Sequence, residues 1–280
     1  MKKAKIVILA GQSNAVGVGR VEYLPCHFDE DKVAEYKRGY DDVKINFYSH
    51  DVISNGFVGT GTQSSLAGFF AVGPELSMAE YFSNNYPDEN IFIVKCAVGS
   101  TNLYDEWCSP STKPIYSYEE TKDCSIYSKR ITGWCYNNLV ALLWESIRIL
   151  EGDGYAPEIV GFCWMQGESD SGDEEKVSKY IGGYKNLLLD LKSEFDGYFS
   201  KNCTFVDAGI SEIWTDYKRI NEMKRKFAED EPNCIFIDTI KEGLTTKNEP
   251  HGKPDIYHYD IDSVIKLGHL FAQNVNVKGE

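Results

Sequence analysis

Short runs dense in aliphatic and β-branched residues recur along the chain, at Lys5–Ala10, Lys44–Tyr48, Ile91–Val98, Ile159–Trp164, Thr204–Ala208 and Cys234–Asp238. Several are apolar at successive rather than alternate positions, the pattern of strands buried on both faces. Between them the apolar positions fall into three- and four-residue spacing, over Pro74–Phe82, Tyr136–Leu150, Lys176–Phe195, Tyr217–Glu229 and Ser263–Val275. Leu139, Leu142, Leu143, Ile147 and Leu150, for example, share one helical face. Strands alternating with helices predict right-handed crossovers and a parallel sheet covered on both sides, an α/β fold. No Pro- or Ser-rich linker and no internal repeat divides the pattern, so residues 1–280 read as one domain. Its longest irregular stretch is a loop insertion at about Thr101–Gly133, rich in Tyr, Ser, Thr and Cys. A loop of that length in a compact domain is more often functional than filler, and it is expected to overhang a site. The acidic run Asp170–Glu175 reads as the start of a helix, where carboxylates favour the dipole.

Composition narrows the function classes. With 43 acidic against 29 basic residues the formal net charge is −14, which repels phosphate backbones and anionic headgroups. Neither a nucleic-acid nor a membrane partner is expected. The eight cysteines contain no CxxC pair. Cys96, Cys163, Cys203 and Cys234 lie in or beside apolar runs, where a free thiol behaves as a small hydrophobe. A disulfide among Cys108, Cys124 and Cys135 is the rival reading. The opening MKKAKIVILAGQ imitates a signal peptide, but its apolar run Ile6–Ala10 is shorter than the roughly 7–15 residues such a segment needs. It reads as a first buried strand, and no stretch approaches the ~20 apolar residues of a membrane span. A soluble, cytoplasmic protein is expected, secretion requiring a leader removed upstream. The sequence carries no signal for self-association.

Ligands of open α/β sheets bind beyond the carboxyl ends of the strands, so the residues leaving each strand carry the functional reading. The first run ends in Gly11-Gln12-Ser13-Asn14, which presents a hydroxyl after a tight turn; alone, it could be a helix cap. The third ends in Gly99-Ser100-Thr101, where a glycine lets backbone approach a ligand. The fourth ends in Gln166-Gly167-Glu168-Ser169-Asp170. Its amide can donate a hydrogen bond to a developing oxyanion, and Glu168 can cap or orient. After the last run comes Asp255-Ile256-Tyr257-His258. A serine hydroxyl becomes a nucleophile when a base takes its proton and a carboxylate fixes the base, and Ser13, His258 and Asp255 supply those roles. His27 and His50 sit in early irregular segments, His251 in a polar turn, and His269 inside the last helical pattern.

GQSN, VGPEL (Val72–Leu76), KxAxGST (Lys95–Thr101), WxQGExD (Trp164–Asp170) and DxxH (Asp255–His258) occur in an order that resembles the SGNH hydrolases. More narrowly, the chain resembles their sialate O-acetylesterase and acetylxylan esterase branch, carbohydrate esterase family six, from about Lys5 to Ala272. The resemblance implies a three-layer α/β/α sandwich with a flavodoxin-like, five-stranded parallel sheet. It also implies a serine esterase that removes O-acetyl groups from carbohydrates such as acetylated xylan, oligosaccharides or sialic acid, through an acetyl-enzyme intermediate and with no metal or organic cofactor. Carried over by motif, Ser13 is the nucleophile, His258 the general base and acid, and Asp255 its orienting carboxylate. The oxyanion hole is the backbone N–H of Ser13, that of Gly99 and the Gln166 side chain. Gln12, Asn14 and Glu168, in the same motifs, are the expected substrate-binding residues. The chain departs from the common pattern at Ser100, where a second glycine is usual, and in the insertion.

Two other readings remain open at this level: a non-catalytic carbohydrate-binding module of the same fold, and a short-chain esterase, lipase or peptidase of that fold. Lipases generally need a broad apolar entrance, whereas the irregular segments here are polar. The insertion's aromatics, Tyr104, Trp107, Tyr116, Tyr118 and Tyr127, could stack on sugars or simply pack the loop down.

Overall fold

The computed structural model describes residues 1–50, 52–62, 71–125, 128–249 and 255–279. All six apolar runs become parallel strands of one sheet: β1 (Lys2–Gly11), β2 (Tyr40–Ser49), β3 (Ile91–Ala97), β4 (Tyr155–Met165), β5 (Phe199–Ala208) and β6 (Cys234–Ile237). Their spatial order is β2-β3-β1-β4-β5-β6. Without β2 the remaining five follow the flavodoxin-like order 2-1-3-4-5, so the expected sheet is present and β2 is an added margin strand within the first crossover. Val52–Ile53 and Val58–Thr60 pair antiparallel with β2. β1 lies between β3 and β4, and Ile6–Ala10 have no solvent exposure. Cover from both neighbours and both faces is why that run is continuously apolar.

Five helices match the spaced patterns to within a turn: α1 (Pro74–Asn85), α2 (Trp134–Gly152), α3 (Glu174–Glu194), α4 (Tyr217–Asp230) and α5 (Ile261–Gln273). Successive residues of β3 show the two layers they form, since strand side chains alternate between faces. Cys96 Sγ meets the carbonyl of Cys135 in α2. Lys95, one residue earlier, reaches across the other face to Glu75 in α1 at 2.8 Å and to the carbonyl of Val16 at 2.7 Å. Both members of this ion pair are buried. The VGPEL and KxAxGST motifs therefore share a structural role, which is to fix the chain just after Ser13. α1 packs in turn against α5, where Gly268 leaves no room for a side chain over the Pro74 carbonyl.

One local reading needs correction. Asp173 does begin α3, its carboxylate accepting from the N–H groups of Glu175 and Lys176. Asp170, read as part of the same helix start, is instead buried and accepts from the N–H groups of Leu103 and Tyr104. It anchors the start of the insertion. Past that anchor the insertion packs onto the domain: Trp107 is fully buried edge-on to Trp164 of β4, and Ser111 bonds Asp190 of α3. Tyr116 and Tyr118 are exposed, while Tyr127 falls outside the described residues. All eight cysteines are free thiols, including Cys108, Cys124 and Cys135.

Glu75→Ala would remove the carboxylate paired with the buried Lys95 ammonium. Removing one partner of such a pair costs about 3–5 kcal/mol, so the midpoint of urea denaturation is expected to drop sharply, with the m-value unchanged.

Candidate active site

Three of the four chemically loaded exits, those of β1, β3 and β4, belong to adjacent strands. Gly11 leaves β1 at φ +143°, and a Cβ there would sit 2.0 Å from the carbonyl oxygen of Met165 at the end of β4. Gln12 N–H donates to that same oxygen at 2.9 Å, and Val98 N–H donates to the Gly11 carbonyl at 3.0 Å. The turn after β1 is thus clamped by the exits of β4 and β3. It opens into one helical turn, Ser13–Val16, with Ser13 partly exposed between buried Gln12 and Asn14. Neither Ser13 nor Asn14 caps it; the cap position is Gln12, which makes no side-chain cap bond. Gln12 Oε1 accepts instead from Ser169 N–H at 3.0 Å and from Gln166 Nε2 at 3.3 Å.

Asn14 joins the two ends of the sequence. Its Nδ2 donates to Glu168 Oε1 at 2.9 Å, and its Oδ1 accepts from the backbone N–H of Tyr259 at 3.0 Å, across 245 residues. Tyr259 follows His258, whose Nδ1 lies 2.6 Å from Asp255 Oδ2. With the carboxylate accepting, Nδ1 is the donor, and in the neutral ring Nε2 is the nitrogen with the lone pair. Partial burial pushes the Asp255 carboxyl up, but the His258 ring and the Tyr257 N–H outweigh that and hold it below the usual carboxylate value. The Ser13 hydroxyl and the imidazole are not hydrogen-bonded to each other; they are joined one residue along, through Asn14 and Tyr259.

Gly99 also faces Ser13: a Cβ on Gly99 would lie 3.6 Å from the Ser13 Cβ and 3.0 Å from Cε1 of His50. The Gly99 N–H donates to His50 Nδ1 at 3.3 Å. His50 is therefore a site residue that the sequence reading passed over. It follows β2 directly and is buried, at φ +59°. Ser100 stands at φ +58°, the left-handed region a glycine enters freely, so the backbone keeps there the conformation that the more usual glycine would take.

Gln166 is fully buried, and its Nε2 meets three acceptors: Asp170 Oδ2 at 2.6 Å, the Thr101 carbonyl at 3.2 Å and Gln12 Oε1 at 3.3 Å. One hydrogen is committed to Asp170; the other is shared between two long contacts. The Gln166 carbonyl is held from behind by Lys224 Nζ at 2.7 Å, which also bonds Asp207 and the Ala208 carbonyl at 2.7 Å each. Burial raises the carboxyls of Glu168, Asp170 and Asp207, the last two to about 6. Glu168 Oε2 has no partner among the described residues. No group of three His, Cys, Asp or Glu side chains among them is arranged to hold a metal ion. His269 bonds Glu80, and His251 lies outside the described residues.

A family model for carbohydrate esterases, sialic acid-specific acetylesterases, matches residues 3–276. No curated protein sequence matches the chain. Among solved structures, a protein from Arabidopsis thaliana shares the fold at a TM-score of 0.64 and 20% identity, covering 96% of each chain. NanS is similar at 0.64 and 15%, covering 97% of this chain and 96% of its own. XAC1771, a carbohydrate acetylesterase from Xanthomonas citri, is similar at 0.60 and 14% identity, over 99% of this chain and 57% of its own.

Burial lifts the Asp170 carboxyl to about 6 from an ordinary 3.8, against the pull of its hydrogen bonds. Between those values the folded chain keeps a proton that the unfolded chain has released. This group therefore makes folding less favourable as pH rises from about 4 to 6, and the cost persists above that window. Asp170→Asn cannot ionise. The stability of the wild type relative to this variant is expected to fall by about 2 kcal/mol between pH 4 and pH 7, most of a full effect of about 1.4 kcal/mol per pKa unit, measured by urea denaturation at both pH values.

Proposed function

The chain belongs to the carbohydrate esterase, sialic acid-specific acetylesterase family, a family of carbohydrate O-acetylesterases, and we propose that it works through Ser13, His258 and Asp255. In this reading the Ser13 hydroxyl attacks the carbonyl carbon of an acetyl group while His258 Nε2 takes its proton. The C–O bond to the sugar then breaks, the imidazolium returns the proton to the departing sugar oxygen, and acetyl-Ser13 remains. Water, deprotonated by the same nitrogen, releases acetate and restores the serine. The observation that carries the reading is the 2.6 Å contact of Asp255 with His258 Nδ1, which leaves Nε2 as the ring's acceptor. The Asn14 bridge supports it by bringing the segment of the base to the turn of the nucleophile.

The tetrahedral intermediate places negative charge on the former carbonyl oxygen, which backbone N–H groups and amides stabilise when held in position. The proposed donors are the N–H groups of Ser13 and Gly99 and the Gln166 amide. Gly99 would exchange a 3.3 Å contact to a neutral ring nitrogen for a charged oxygen. Gln166 would keep its 2.6 Å bond to Asp170 and turn its second hydrogen away from the longer contacts. Gln12 and Glu168 act mainly by position here, Gln12 tying the β1 turn to Ser169 and Glu168 holding Asn14.

Ser13→Ala is expected to lower kcat on p-nitrophenyl acetate by at least about 10⁴ with an unchanged circular dichroism spectrum; undiminished hydrolysis would remove the mechanism and favour a binding module. Asn14→Ala loosens the link between nucleophile and base, and misplacement on the order of 1 Å can cost about 10²-fold. The loss should appear in kcat rather than KM, read by steady-state kinetics on the same ester.

A further inference from the structure

We propose that a cleft beside the Asp255–His258 segment seats an uncharged sugar ring of the substrate, next to the ring that bears the acetyl group. This rests on the esterase reading and extends it to the substrate. The cleft has a volume of about 460 Å³, inside the range of about 300–1,000 Å³ of small-molecule sites. It lies between the chain leaving β5 and the chain leaving β6, and Ile256, two residues before His258, forms part of its wall. The cleft thus opens at the catalytic segment.

Its surface offers both kinds of contact a sugar makes. Ile213, Ile240 and Ile256 line it as large apolar side chains left exposed. Such surfaces suit the C–H faces of a pyranose. The polar contribution starts from Ser211, which lines the cleft at 6% exposure with a hydroxyl that meets no partner among the described residues. Buried polar groups left unpaired are rare and require an explanation. A sugar hydroxyl, which both donates and accepts, satisfies the Ser211 hydroxyl. Charge restricts the ligand further: Lys247 is the one cation in the described wall, and Glu212 stands 3.5 Å from it. The described wall carries no net charge, and an anionic sugar would meet Glu212 beside its only counter-ion.

The test is isothermal titration of the intact chain with acetyl-free xylotetraose, cellotetraose and N-acetylneuraminic acid. A neutral oligosaccharide is expected to bind, and Ser211→Val and Ile213→Asp are each expected to weaken that binding about tenfold. Ile213 is exposed, so its variant keeps the test intact if Ser211→Val fails to fold. Absence of neutral-sugar binding, binding indifferent to both substitutions, or preference for the anionic sugar would overturn the proposal. The ligands carry no scissile acetyl ester, so the outcome is independent of Ser13 chemistry. Hydrolysis of p-nitrophenyl acetate by the same preparation judges the esterase reading separately.

Discussion

The site depends on one bidentate side chain. Asn14 spends its donor on Glu168 at the mouth of β4 and its acceptor on the backbone of Tyr259, so three segments far apart in sequence share a single amide. Asparagine suits this position because it offers donor and acceptor within one rigid planar group. Asp would set two acceptors against the Glu168 carboxylate, and Leu of similar size would leave the Glu168 oxygen and the Tyr259 N–H buried and unpaired. Glu168 is buried too, and its carboxylate accepts from Asn14 there.

Behind this layer lies a second one built from buried lysines. Lys95 holds the carbonyl of Val16 at the end of the Ser13 turn, and Lys224 holds the backbone carbonyl of Gln166. Each is paired with a carboxylate, Glu75 and Asp207 respectively. Buried pairs of this kind add little net stability; what they supply is geometry, since an ammonium donating three ways fixes the carbonyls around it. Strands, glycine turn and lysine heads together set the backbone from which the polar side chains of the site project.

The fold was legible wherever burial acts uniformly along a segment. β1, β3 and β4 lie inside the sheet, so their sequences read as apolar runs, interrupted in β3 by Lys95, and the helices betray themselves by one apolar face. Ser13, His258 and Asp255 stood out because nucleophilic catalysis demands those residue types, and the structure sets Asp255 against His258. What escaped were roles set by contacts distant in sequence. Asp170 looks like its neighbours Asp173 and Glu174, yet it is buried on the insertion's backbone. His50 sits at a strand exit like the motifs that were singled out, and its place beside Gly99 follows only from β2 pairing with β3.

The added strand β2 has an effect on association that the catalytic end does not reveal. Sheet margins expose rows of unsatisfied amides and carbonyls that can recruit a second polypeptide. Here one flank is screened by the two short antiparallel segments on β2, and the opposite flank, β6, is only four residues long. Both flanks present few free ladder groups, which disfavours cross-chain β-pairing and the fibrous aggregates it seeds.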